Sequence, residues 1–191
     1  IFALFHPIRA ELDLTDWQLG LLSTAFLWIY GIFSPLGGYL ADRFSRSRVI
    51  LVSLGAWSAI TAATGAARSF SALLAARALM GLSEAFYLPA ALALISDYHK
   101  QATRSLATGI HQSGLYLGLI LGGAGAGWLG ERQGWRFAFY SLGGVGLVYV
   151  ALAALALKDA AREAAAQIPD RHGGSGAIGR LLASRQFLLM A

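Results

Sequence analysis

Gly38-Tyr39-Leu40-Ala41-Asp42-Arg43-Phe44-Ser45-Arg46-Ser47-Arg48 is the stretch that decides the fold. It sets Asp42, Arg43, Arg46 and Arg48 between two long apolar runs, Trp17 to Leu40 and Val49 to Ala67. Charges this dense are not left in hydrocarbon, so the stretch reads as a short hairpin loop at a membrane face. Its arginine excess puts that face on the cytoplasmic side, by the positive-inside bias. This one assignment orients every other helix.

The composition agrees. The chain is 57% hydrophobic and 13% charged, where a soluble domain carries about 25% charged residues. A multi-pass integral membrane protein in a lipid bilayer is the class that fits. With no cysteine, a disulfide framework and a thiolate metal site are excluded. No metal-ligand cluster, nucleophile–base pair or cofactor loop stands out, so the reading is not an enzyme and no cofactor or metal is expected. Gly122-Gly123-Ala124-Gly125 lies inside an apolar run with no strand before it, so it is not a phosphate loop. The net charge of +5 is the basic excess of loops on one face, and no nucleic-acid partner is implied.

Outward from the hairpin, the expected order is as follows. Ile1 to Pro7 is the tail of a first membrane helix, and Arg9 to Asp16 an external loop. Thr15 to Gln18 forms a capping box that opens helix 2, which runs to about Leu40. That is roughly 35 Å, enough to cross a core of about 30 Å. Helix 3 covers Val49 to Ala67, helix 4 Ser71 to Tyr98, helix 5 Ser105 to Leu129 and helix 6 Trp135 to Leu157. Gly20, Gly31, Ser34 and Gly38 give helix 2 small surfaces for close contact. Residues 158–180, with Pro169 and Gly173-Gly174-Ser175-Gly176, read as a cytoplasmic linker, and 181–191 as the start of helix 7. Ten basic residues then fall on the inner side and four on the outer, with Arg77 inside a helix.

Arg77 and Glu84 stand in the otherwise apolar helix 4. From Ser71, Arg77 is about 9 Å deep and Glu84 about 20 Å. An ionisable group at that depth faces protein or a wet cavity, and is a functional candidate by default. Their spacing of seven puts both on one face, about 10 Å apart along the axis, too far for a tight pair. Arg77 offers a permanent planar cation suited to a carboxylate or phosphate; Glu84 can take and release a proton. A structural polar network locking neighbouring helices is the bland alternative. In helix 5, His111 is either a proton gate or a histidine held between packed helices. Gly114, Gly118 and Gly122 repeat every four residues, as a close-packing face does.

The pattern Gly-x-Leu-Ala-Asp-Arg-x-x-Arg-x-Arg from Gly38 to Arg48 resembles the loop between helices 2 and 3 of major facilitator superfamily transporters, with Ser45 where glycine is usual. Arg-x-x-x-Gly-x-x-Glu from Arg77 to Glu84, with Pro89 five residues on, is similar to helix 4 of the anion:cation symporters within that superfamily. Spinster-type lipid transporters come second. The resemblance implies an all-α membrane protein, the N-terminal six-helix bundle of a twelve-helix fold with helix 1 truncated. It divides as 1–157 bundle, 158–180 linker and 181–191 start of helix 7, the C-terminal half being a partner.

The implied function is secondary active transport by alternating access, as proton-coupled symport of a small organic anion such as a sugar acid, in a bacterial inner membrane. The substrate would meet Arg77, Tyr30, Tyr87, Gln112 and Tyr116, with Glu84 and His111 coupling protons or another ion. Gly38, Asp42, Arg43, Arg46, Arg48 and Asp97 would form a cytoplasmic latch, Asp42 docking on the other half. A lysolipid or sphingoid-lipid carrier is the alternative within transport. A membrane receptor or scaffold is the alternative from another class.

Overall fold

The computed structural model describes residues 1–159. Among them, seven α-helices follow a 3-10 turn at Phe2–Leu4, and there is no strand. The helices are α1 (Phe5–Leu12), α2 (Asp16–Arg43), α3 (Arg46–Thr64), α4 (Phe70–Ala85), α5 (Tyr87–Tyr98), α6 (Gln101–Gln133) and α7 (Trp135–Ala156). With α4 and α5 taken as one rod, four spans are long and apolar enough to cross a membrane: Asp16–Arg43, Arg46–Thr64, Phe70–Tyr98 and Trp135–Ala156. Sequence reading expects α6 to be a fifth. It is the longest helix, but Arg104, His111, Gln112 and its many Ser and Gly residues leave it outside that set. Most of the expected linker, and the expected start of a further helix, lie outside the described residues.

Local chemistry sets the helix ends. Thr15 opens α2 with the expected capping box: Gln18 N–H donates to Thr15 Oγ1 at 3.3 Å, and Thr15 N–H to Gln18 Oε1 at 2.9 Å. Pro7 stands in the first turn of α1, where its missing N–H costs nothing. That helix runs to Leu12, so the polar loop after it shrinks to Asp13–Thr15, with Asp13 in the left-handed region at φ 49°. The hairpin is tighter than expected too. Ser45 caps α3 by accepting from Arg48 N–H at 3.3 Å, so α2 and α3 are helical right up to Phe44 and Ser45. At the other end of the bundle Gly134, at φ 88°, makes the turn between α6 and α7.

Long membrane helices bury little against each other unless backbones come close. Here α2 packs on α4 and α5, while α3 packs on α7, α4 and α5. The close contacts are glycines meeting backbone. A methyl group on Gly81 would stand 2.5 Å from the Phe26 carbonyl oxygen, and one on Gly37 would overlap the carbonyl of Ala85. Gly143 meets Ala62 in the same way across α3 and α7. The sequence reading therefore chose the wrong neighbour in the Gly37-Gly38 pair. Gly20, Gly31 and Gly38 look onto open space. So do Gly114, Gly118 and Gly122, which correct the expected packing stripe: no described element covers that face of α6.

Two apolar cores result. The larger joins Leu4, Leu22, Leu73, Trp135 and Phe139 among others, near the α6–α7 turn. The smaller holds Ala41, Ile50, Ala90, Ala91 and Leu94, near the arginine hairpin. We call these the Trp135 end and the basic end. At the Trp135 end a polar clasp closes the core. Glu11 accepts from Trp135 Nε1 at 2.6 Å and from Arg136 Nη2 at 2.7 Å, and Arg136 Nη1 reaches the carbonyls of Gly65, at 3.0 Å, and Ala67. Outward, α2, α6 and α7 carry exposed Trp28, Ile32, Leu119 and Leu155, the surface of a protein that meets lipid.

Candidate functional site

Between the two cores lies the polar stretch of α4. Arg77 is only 9% exposed. Its Nε donates to the Leu22 carbonyl of α2 at 3.2 Å, its Nη1 approaches the Met80 sulfur at 3.2 Å, and its guanidinium lies 4.7 Å from the centre of the Phe26 ring. These contacts fix the plane of the fork, but none carries a negative charge. Among the described residues Arg77 has no acid in ion-pair contact. A buried guanidinium held this way is a standing attraction for an anion, because an uncompensated buried charge is expensive.

Phe26 extends the site. Tyr30, one turn further along α2, stacks on it with centroids 6.1 Å apart and planes at 15°. Tyr30, Phe26 and Arg77 thus form a continuous stack. Sequence reading found its two ends and missed the middle. The signal was there, since Phe26 stands four residues before Tyr30 and so shares its face of α2.

Glu84 is half-buried on the last turn of α4. As the spacing implied, it makes no ion pair with Arg77, and among the described residues its carboxylate makes no hydrogen bond. It lies within electrostatic reach of both Arg77 and Tyr87. Tyr87 opens α5 and faces His111 of α6, ring centres 6.0 Å apart. Among the described residues, His111 Nε2 and the neighbouring Gln112 Oε1 are both buried without a hydrogen-bond partner. Native interiors rarely leave such atoms unmatched, so each calls for a ligand group or a water. Tyr116 does not join them: it is 65% exposed on α6 and forms no hydrogen bond or ring contact among the described residues.

The expected latch is only partly assembled. Arg46 forms an ion pair with Asp97 at the end of α5, donates to the Ala93 carbonyl at 3.0 Å, and stands 3.9 Å from Asp42. Arg43 turns instead to the Tyr39 hydroxyl at 3.3 Å, and the Arg48 side chain is exposed. Asp159 adds a further acid to this face. The Asp159 carboxylate accepts from Ser45 Oγ and, at 2.8 Å, from Ser47 N–H, while the Tyr98 hydroxyl donates to the Lys158 carbonyl at 2.9 Å. The chain leaving α7 is thereby pinned beside the arginine hairpin.

The family model described as Major Facilitator Superfamily matches residues 1–191. The chain is 37% identical over 138 residues to the voltage-gated purine nucleotide uniporter SLC17A9 of Homo sapiens, covering 70% of this chain and 32% of that one. It is 34% identical over 165 residues to a probable sulfoacetate transporter, SauU, of Cupriavidus necator, covering 86% and 36%. It therefore spans about a third of the length of these curated relatives. Among solved structures, it matches a bacterial homolog to the human lysosomal transporter Spinster in an inward-facing and occupied conformation. There the TM-score is 0.73 at 28% identity, over 82% of this chain and 40% of that one.

Proposed function

The chain belongs to the Major Facilitator Superfamily, and from that premise we propose that it forms part of a secondary transporter which moves a small organic anion by alternating access, coupled to protons. The observation that carries this reading is Arg77, buried, oriented on three sides and, among the described residues, with no acid in ion-pair contact. It is the clamp for a carboxylate, sulfonate or phosphate. Glu84, half-buried and free of hydrogen bonds among the described residues, is the proton carrier. The unmatched atoms of His111 and Gln112, together with Tyr30 and Tyr87, supply hydrogen bonds to the rest of the substrate, with sugar acids as one fitting class. Both curated relatives are named for anionic cargo, which supports the clamp. The first is named a uniporter and the name of the second states no coupling, so the proton part rests on Glu84 alone.

In this reading the arginine hairpin faces the cytoplasm of a bacterial inner membrane, and the second half of the transporter follows the linker at 158–180. Arg46 and Asp97 form the latch, with Asp42 facing the second half. The likeness to a Spinster homolog favours one other reading, a lipid carrier.

The test uses the full-length protein in proteoliposomes, with sulfoacetate and a sugar acid as probes. Glu84→Gln keeps shape but cannot ionise, so pH-driven accumulation vanishes while binding survives and loses its pH dependence. Arg77→Lys keeps the charge and loses the planar fork, so anion affinity falls about tenfold or more. Retained pH-driven accumulation in Glu84→Gln overturns the carrier role. Unchanged anion affinity in Arg77→Lys, with preference for a lysolipid, replaces the reading with the lipid carrier.

A further inference from the structure

Sequence reading expects one unbroken helix from Ser71 to Tyr98. The structure interrupts its hydrogen-bond ladder at Phe86, one residue past the end of α4 and two past Glu84, while the Phe86 backbone stays right-handed at φ −90° and ψ −21°. Pro89 is the cause. It has no N–H to give the Ala85 carbonyl four residues back, and its ring crowds that carbonyl. A carbonyl released inside a membrane has to be covered by protein. Here α2 covers it with a residue that has no side chain: a methyl group on Gly37 would overlap the Ala85 oxygen and stand 3.2 Å from Phe86 Cα. The covering helix carries its own proline at Pro35, two residues before Gly37.

The break divides more than a helix. On one side α4 carries Arg77 and Glu84, and its Leu73 belongs to the larger core. On the other side α5 carries Asp97, the partner of Arg46, and its Ala90, Ala91 and Leu94 belong to the smaller core. Arg77 and Glu84 and the bridge acid Asp97 thus sit on successive helical segments of one span, joined where one hydrogen bond of the ladder is missing. An unbroken helix would carry α5 with α4 as a rod. A break seated on glycine lets α5 turn against α2 with no side chain to dislodge.

We propose that the Ala85–Phe86 break, seated on Gly37, is the joint through which the state of the Arg77–Glu84 site acts on the Arg46–Asp97 bridge. Pro89 and Gly37 are then positioning residues for transport and touch no substrate. This rests on the reading of Arg77 and Glu84 as binding and coupling groups.

The experiment follows a thiol beside α5 in the full-length protein, with Lys100→Cys as the only cysteine. The trigger is Glu84→Gln, which fixes the neutral form at constant pH, and sulfoacetate is added separately as the probe anion. With Pro89 and Gly37 in place, Glu84→Gln changes the labelling rate of the thiol about tenfold, an ordinary size for coupling between two sites. Pro89→Ala returns the missing N–H and removes only the two outer ring methylenes of a half-buried side chain. In that background the same trigger changes the rate by less than about twofold, uptake of sulfoacetate slows, and its binding affinity is kept. Gly37→Ala, which pushes on the seat directly, gives the same split. A labelling response in Pro89→Ala and Gly37→Ala equal to that of the unaltered chain overturns the joint and leaves the site reading standing. Loss of sulfoacetate binding together with the labelling response in both variants also overturns it, because the two residues then only hold the fold. If Glu84→Gln leaves labelling unchanged even with Pro89 and Gly37 intact, the coupling role of Glu84 fails, and the joint with it.

Discussion

The two ends of the bundle are held by different chemistry. At the Trp135 end the joining side chains are large. Leu4, Ile8 and Leu22 are at most 1% exposed, Trp135 2%, and the Trp135 ring meets Phe139 edge-on at 6.0 Å. The clasp above them is nearly saturated, with Arg136 serving a carboxylate, two carbonyls and, at 4.2 Å, the Trp135 ring. At the basic end the apolar contacts are mostly alanines, and the helices are joined by ions whose acids are 38% and 80% exposed. Exposed ion pairs are worth about 0–1 kcal/mol, whereas a buried aromatic removed from a core costs about 3–5 kcal/mol. One end is built to stay closed. The other is held by contacts worth far less.

The strongest way to break this contrast is Trp135→Ala. It should lower the unfolding free energy of the purified protein by about 3–5 kcal/mol, measured by thermal or denaturant unfolding in micelles. A loss comparable to that of a surface change would remove the distinction between the ends. Next comes Arg136→Gln, which strips the cation from Glu11 and donors from two carbonyls, for about 2 kcal/mol.

The same clasp makes a pH prediction. Hydrogen bonds from Arg136, and then from Trp135, hold the Glu11 carboxyl below its usual range, in a segment beyond the membrane spans. A carboxyl depressed in the folded state contributes stability that is fully present above its unfolded pKa. That stability is lost as pH falls through the folded value. Thermal stability should therefore hold through mildly acid pH and drop below the ordinary glutamate range, and Glu11→Gln should remove that acid limb.

At the basic end the effects on stability shrink. Asp97→Asn should cost no more than about 1 kcal/mol, yet change the labelling of a single cysteine introduced near the hairpin, since a weak bridge between two states acts on populations. Asp42→Asn should be smaller still, with unfolding unchanged and a modest shift in accessibility. A large stability loss from either would place the basic end with the Trp135 end.

Much of this was legible in the sequence for physical reasons. A charge cluster between apolar runs fixes a hairpin whatever the neighbours are, and the Thr15 capping box reads from four residues. Arg77 and Glu84 stood out because hydrocarbon leaves few reasons for charge. What stayed hidden depends on which face of a helix meets which neighbour. Gly37 and Gly38 are equivalent in sequence, but only Gly37 lies on α4. Phe26 was one aromatic among many until Arg77 came to rest on its ring. The stripe at Gly114, Gly118 and Gly122 had the spacing of a contact face, yet spacing does not provide a partner. Arg43, Arg46 and Arg48 were equal candidates for Asp97, and the helical turn from Ser45 delivers only Arg46. Asp159 went unnoticed because its partners lie more than a hundred residues upstream.

That last contact has a mechanical meaning. Asp159 anchors the chain leaving α7 to the first turn of α3 by charge-assisted hydrogen bonds, and Lys158 takes the Tyr98 hydroxyl at the end of α5. Tension along the backbone beyond this point is therefore shared between α7 and two side anchors. Those anchors sit on the elements that carry Arg46 and Asp97, so a tug on the chain is felt at both sides of the bridge at once.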